Sequence, residues 1–288
     1  MKALFKKEMQ NEWFYLVVAF GSYLIGSFLS NSSIKKWDII AFFAGFILFV
    51  ALHLAHRYSQ LLGSKRTSDS YRKKGMYHKA HYYLPLLAFL TIIFTCSYFL
   101  LKRQVLIGIN LIWISLIFLL TFFQTNNRIV LISELIDWLL KSLLISPLLL
   151  LYGVSVQAAP LSSKHYLMAM PLFFLSAASF VALEFPMYAK SPEEKRSTLI
   201  PKIGLNQTIV LHNVLIFLSY LSLGAYLYFS ATFRSQWTLL LIALISLFEM
   251  YQLHRLSLGM KPNYRMLKAT AYIQTLSFIY LFILNTIL

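Results

Sequence analysis

Residues 183–204 read LEFPMYAKSPEEKRSTLIPKIG. This polar stretch decides the fold because of what it interrupts: an apolar run over 166–185 ends at it, and another, over 208–230, follows it. Each run has about the 20 residues needed to cross the hydrocarbon core of a bilayer. Working outward, the same alternation recurs along the chain and predicts nine candidate spans: 13–30, 37–56, 82–101, 105–123, 139–158, 166–185, 208–230, 237–254 and 269–287. Lipid tolerates only backbone that satisfies its own hydrogen bonds, so each span is expected to be helical. The expectation is an all-α, polytopic membrane protein with a single domain over 1–288. The fifth run has the weakest pattern, with Lys141 near its start and Pro147 and Gly153 inside it.

Composition agrees. Of the 288 residues, 59% are hydrophobic and 12% charged, against about a quarter charged in soluble domains. Mean hydropathy is +0.67. The charged start (Lys6, Lys7, Glu8, Glu12) leads into the first run without a small-residue cleavage pattern, so a retained first helix is expected. The net charge of +16 would suggest nucleic acid in a soluble protein. Here it reads as cations in cytoplasmic loops, with no nucleic-acid partner expected. With the N-terminus inside, 20 of the 26 lysines and arginines fall on the cytoplasmic side, where loops 2–3, 6–7 and 8–9 also lie. Six remain outside: Lys35, Lys36, Lys102, Arg103, Lys164 and Arg234. A single cysteine, Cys96, excludes an internal disulfide and a cysteine metal cluster.

Two helix ends carry polar stripes. His53, His56, Arg57 and Gln60 stand at i, i+3, i+4 and i+7, and so share a helical face. Glu184, Met187, Tyr188 and Ser191 repeat that spacing at the end of the sixth run. Polar groups at inward-facing membrane helix ends line cavities or pair with one another. The plainer reading is snorkelling, in which Arg57 and Lys190 reach headgroups.

The stretch 184–204 resembles the second signature of the UbiA superfamily of intramembrane prenyltransferases, in its menaquinone-pathway branch. That signature reads approximately N-E-[IF]-P-D-Y-E-A-D-x-x-x-G-K-R-T-L-x-V-x-L-G. Glu184, Pro186, Tyr188, Thr198, Leu199, Ile203 and Gly204 match it or are similar, without a gap. The nine-span layout, with signatures in loops 2–3 and 6–7, is also similar to that family, as is KPNYRMLKATAYIQTLSF (261–278) leading into the last run. The resemblance implies a helical bundle with a central lipid groove. It also implies an isoprenoid diphosphate donor held by Mg²⁺ on two aspartate-rich motifs, and prenyl transfer to an aromatic or other lipid-soluble acceptor. Mg²⁺ bridged by carboxylates neutralises the charge that develops on the leaving diphosphate.

The chain departs from the family where those carboxylates belong. In the second motif the aspartates fall on Met187 and Ser191, and the glutamate between them on Ala189. In the first, the pattern falls on His56, Arg57, Gln60 and Ser64. The only aspartates are Asp38, Asp69 and Asp137. No metal ligands are therefore assigned, although Mg²⁺ is expected of the family.

Three readings follow. In the first, cations take the diphosphate directly: Arg57, Lys65, Arg66, Lys190, Lys195 and Arg196 make both loops basic, and Lys141 falls near a lysine position of the family's fifth helix. Each charge-assisted bond to phosphate contributes about 1.5–3 kcal/mol. In the second, the chain is a non-catalytic pseudoenzyme that keeps a groove for an isoprenoid or anionic lipid, or accompanies a partner protein. In the third, His53/His56 and His78/His81 form a histidine-box metal site. Glu193 and Glu194 read as solvated loop charges beside Lys195. Glu184 is expected to orient Arg57 or Lys190. Glu249, Gln252 and Arg255 close the eighth run in the same manner and read as interfacial. Asn31 and Asn206 carry glycosylation sequons that lie too near the membrane or inside.

Overall fold

The computed structural model describes residues 2–31, 37–66, 76–103, 112, 116, 138–188, 199–230, 232, 236–260 and 262–287. Among these the chain is helical and contains no strand. The helices are α1 (Lys2–Asn31), α2 (Ile39–Arg66), α3 (Met76–Lys102), α4 (Trp138–Val156), α5 (Ser163–Tyr188), α6 (Leu205–Phe229), α7 (Trp237–Ser257) and α8 (Tyr264–Ile287), with one isolated turn at Ile200–Ile203. Among the described residues six helices are long and apolar enough to cross a membrane: α1 over Trp13–Ser30, and α4 to α8. Two shorter apolar stretches lie in α2 (Ile39–Ala55) and α3 (Leu87–Lys102). The chain is a multi-pass membrane protein. The run expected over 105–123 lies outside the described residues except at 112 and 116.

α1, α2 and α3 extend well beyond their apolar windows. α2 was expected to stop at 56 but continues to Arg66. Residues 57–66 contain no proline, so the chain can keep its own hydrogen bonds after leaving the lipid. The other end of α2 is fixed by a cap. The Asp38 carboxylate accepts the Ile40 and Ala41 amides, each at 3.0 Å, and pairs with Arg103 at the end of α3. Gln157 clamps the same point from α4: its Oε1 accepts the Asp38 amide at 2.9 Å, and its Nε2 donates to the Asp38 carbonyl at 3.2 Å.

The irregular fifth run folds as a span. Pro147 sits in a π-turn over Leu144–Leu148, where the wider turn accommodates the missing N–H and the ring. Gly153 lies where α4 crosses α1. A Cβ there would stand 2.3 Å from the Tyr23 carbonyl, and one on Gly26 would stand 1.9 Å from the Leu150 carbonyl. The two glycines let the backbones touch, and Ser27 Oγ donates to the Gly153 carbonyl across the contact at 3.3 Å. Lipid offers helices no hydrophobic reason to associate, so close approach of this kind supplies the packing energy.

Side-chain contacts set the relative directions. Tyr23 Oη donates to the Phe42 carbonyl and Tyr15 stacks on His53, so α1 and α2 are antiparallel. Phe14 meets both Phe180 of α5 and Tyr272 of α8, and Gly21 lies against Ile279. α8 therefore runs parallel to α1. Ser146–Ser176 (2.7 Å), Ser219 to the Pro171 carbonyl (2.9 Å) and Asn285–Thr238 (2.7 Å) set α4 on α5, α6 on α5 and α7 on α8. The bundle thus has an Asp38 end, with Arg103 and Gln157, and an opposite Glu184 end, with Trp138, Lys202, Arg255 and Tyr264. α5 occupies the middle, and its Ser176, Ala177, Ala178, Ser179 and Ala182 are fully buried, with side chains small enough to let α1, α4, α6 and α8 close around it.

Candidate functional site

Of the residues singled out from sequence, Glu184 and Tyr188 are described with their side chains at the Glu184 end. At the end of α5, Phe185 and Pro186 are buried, and Glu184 and Tyr188 are half-buried. The Glu184 carboxylate accepts the Leu199 amide at 2.5 Å. Leu199 is the residue before the turn Ile200–Ile203, so a carboxylate meets the amide end of a helical turn, where negative charge is favoured. Leu199 and Ile200 are themselves buried. Gly204 then adopts φ 91°, a conformation that glycine takes without strain, and its carbonyl accepts the Thr208 hydroxyl at 2.8 Å as α6 begins. Glu184, Leu199 and Gly204 thus tie the end of α5 to the start of α6.

On α2, His53 is only 4% exposed and forms an aromatic column with Tyr15 (centroids 4.9 Å apart) and Phe49 (6.2 Å). α1 stands between the two polar helix ends at this level: Tyr15 covers His53 and Phe14 covers Phe180, one turn before Glu184. The backbones at His56, Arg57, Gln60, Ser64, Lys65 and Arg66 continue along α2 beyond His53, toward the Glu184 end. Their side chains, and that of Met187, lie outside the described residues, as do Lys190, Ser191, Lys195 and Arg196 altogether. Lys141 is half-buried on α4, five residues from Ser146. At ~1.5 Å per residue this puts it about 7.5 Å toward the Glu184 end from the Ser146–Ser176 bond. Among the described residues no group of three or more His, Cys, Asp or Glu side chains could hold a metal ion. His53 is engaged by aromatic stacking, and His56, His78 and His81 have no described side-chain surroundings.

A second polar region was misread from sequence. Glu249 was expected at the interface. It is fully buried, and its Oε1 lies 3.7 Å from Nε2 of an equally buried His212 on α6. Eight residues separate Glu249 from Ser257 at the end of α7, about 12 Å along the axis. The signal that could have found it is a lone acid well inside an apolar run, since intramembrane ionisable residues are costly and rarely idle.

The chain matches no model of a known protein family, and no curated protein matches it.

Proposed function

We propose that the chain is a nine-span protein of the UbiA type that holds an isoprenoid diphosphate, or a closely related anionic lipid, at its Glu184 end. The observation that carries this reading is the placement of the two polar helix ends. The end of α2 that carries Arg57, Lys65 and Arg66, the end of α5, and Lys141 of α4 belong to one end of the bundle, on either side of α1. Cations so placed would meet a phosphorylated headgroup while its tail lies among the apolar helices. The count of nine rests on the apolar run over 105–123, which would carry the chain from the Arg103 end of the bundle to the Trp138 end. The sidedness rests on the excess of cations assigned to the Glu184 end, which under the positive-inside rule faces the cytoplasm.

Binding takes precedence over Mg²⁺-dependent transfer in this reading because of Glu184. It is the one acid kept in the second motif, and its carboxylate already accepts a backbone amide. Diphosphate departure without a metal must be stabilised by cations alone, and each ~1.4 kcal/mol of missing stabilisation slows it tenfold. The test is binding and diphosphate release with isoprenyl diphosphates of several lengths, in Mg²⁺ and in EDTA. Binding that survives EDTA and falls at least tenfold in Arg57→Ala or Lys141→Ala is expected. Release with an acceptor present would make the protein a prenyltransferase, and binding without release a pseudoenzyme. Strict Mg²⁺ dependence would overturn cationic capture, and tightly bound iron or zinc would restore the histidine reading.

A further inference from the structure

Two ionisable side chains and two carboxamides lie within about a turn of one depth inside the bundle, apart from the Glu184 end. His212 and Glu249 are each wholly buried. The His212 Nδ1 lies 3.2 Å from Asn213 Oδ1, an arrangement in which Nδ1–H donates and Nε2 is left facing Glu249. Neither carboxylate oxygen of Glu249 has a hydrogen-bond partner. Gln252, 8% exposed, stands one turn along the same face of α7, and both its amide atoms are unpartnered. Gln274 of α8 is fully buried with both amide atoms unpartnered as well. The bond between Thr238 and Asn285 sets the register of α7 on α8, and eleven residues inward from each are Glu249 and Gln274, level to within a turn. Ser219 on the Pro171 carbonyl places His212 level with Ser179, whose hydroxyl meets Thr275 at 2.7 Å. His212, Glu249 and Gln274 form a polar layer about 10–15 Å in from the helix ends, toward the middle of a ~30 Å hydrocarbon core, with Gln252 one turn nearer the end of α7.

A buried carboxylate or imidazolium on its own is expensive in such a place. The pair is electrically neutral only with one proton on it, as carboxylic acid with imidazole or as carboxylate with imidazolium. With none or two, a bare charge remains in the core. The geometry points to an intramembrane proton-binding site in which His212 and Glu249 share one proton and the Gln252 and Gln274 amides are its neutral partners. On α7 itself, His254 and Arg255 follow Glu249 by five and six residues and are exposed. Tyr220 of α6 reaches Ser246, one turn from Glu249. On α5 the nearest acid is Glu184, five residues beyond Ser179 and bonded to Leu199. On α8, Lys268 lies over the Tyr272 ring. The site is independent of the diphosphate reading.

The protonation state can be read directly on the full-length protein in lipid nanodiscs. Infrared spectra report the Glu249 carboxyl, assigned by its loss in Glu249→Gln. The ¹⁵N resonances of labelled histidine report the imidazole, assigned by their loss in His212→Gln. Should Glu249→Gln fail to fold, Glu249→Asp with ¹³C-labelled glutamate identifies the Glu249 signal by its loss from those of the seven glutamates. At neutral pH the expected result is one proton on the pair: either a carboxylic-acid band with a neutral imidazole, or an imidazolium that becomes neutral in Glu249→Gln. The acid band or the imidazolium N–H should shift in D₂O. A carboxylate facing a neutral imidazole would overturn the proposal, and a response of that carboxylate to Na⁺ or K⁺ would reassign the layer as a metal-cation site. Two protons on the pair would overturn it equally.

Discussion

Replacing Gly26 by alanine adds one carbon at the crossing of α1 and α4, and the structure sets what that carbon meets. It would stand 1.9 Å from the Leu150 carbonyl oxygen and 2.8 Å from its carbon, both backbone atoms that no rotamer change can move. Ordinary contact begins near 3.4 Å, so the helices must part by about 1.5 Å. A gap of 0.5–1 Å already forfeits about a quarter to a half of the dispersion well, so most contacts along this crossing weaken together. The bond from Ser27 to the Gly153 carbonyl, 3.3 Å long at the start, breaks. Overpacking costs about 1–3 kcal/mol in general, and the upper part of that range is expected here. The assay is the thermal or denaturant midpoint in detergent or nanodiscs, with Gly224→Ala as the control. A Cβ on Gly224 meets nothing within 4 Å, so that change should be neutral or stabilise by up to about 1 kcal/mol. Gly153→Ala opens the same crossing from the other side, so the double variant should cost less than the two singles combined. A Gly26→Ala protein as stable as Gly224→Ala would refute the close crossing and the placement of α4 on α1.

Three further outcomes follow from particular contacts. Glu184→Ala should lower stability by about 1.5–3 kcal/mol, because the Leu199 amide loses a charged acceptor, while Glu184→Gln retains an acceptor and should lose less; equal midpoints would remove the clamp. At Asp38, partial burial works to raise the carboxyl pKa, but the Ala41 amide, Arg103 and the Ile40 amide outweigh it and hold the carboxyl below its usual range. Its stabilisation is complete above the unfolded value of about 3.9 and is lost as pH falls through the lower folded value, so the midpoint of the wild type should drop more steeply toward about pH 3 than that of Asp38→Asn. His53→Phe should keep the column with Tyr15 and Phe49 and stay within about 1.5 kcal/mol, whereas His53→Ala leaves a cavity and should cost about 3 kcal/mol; equal losses would mean the imidazole nitrogens, and not the ring, matter.

Individual polar residues stood out in the sequence, but their partners did not. Glu184 stood out as an acid at a helix end beside Pro186, but the amide it accepts belongs to Leu199, across fifteen residues. His53 stood out through its spacing from His56, while the aromatic ring that covers it comes from α1. Glu249 was read by its nearness to Gln252 and Arg255, a pattern shared by any polar helix end. Its burial follows from where α6 and α8 lie, which the composition of α7 does not encode.

By itself the sequence determined that this is a helical membrane protein and where its described spans fall. Those properties are local: each helix closes its own backbone hydrogen bonds, and the length of an apolar run measures the lipid it crosses. Only the tertiary structure decided which polar residues share a depth and a neighbour. Side-chain direction and helix register depend on contacts between distant segments, such as Gly26 on Leu150 or His212 against Glu249, and apolar periodicity carries no record of them.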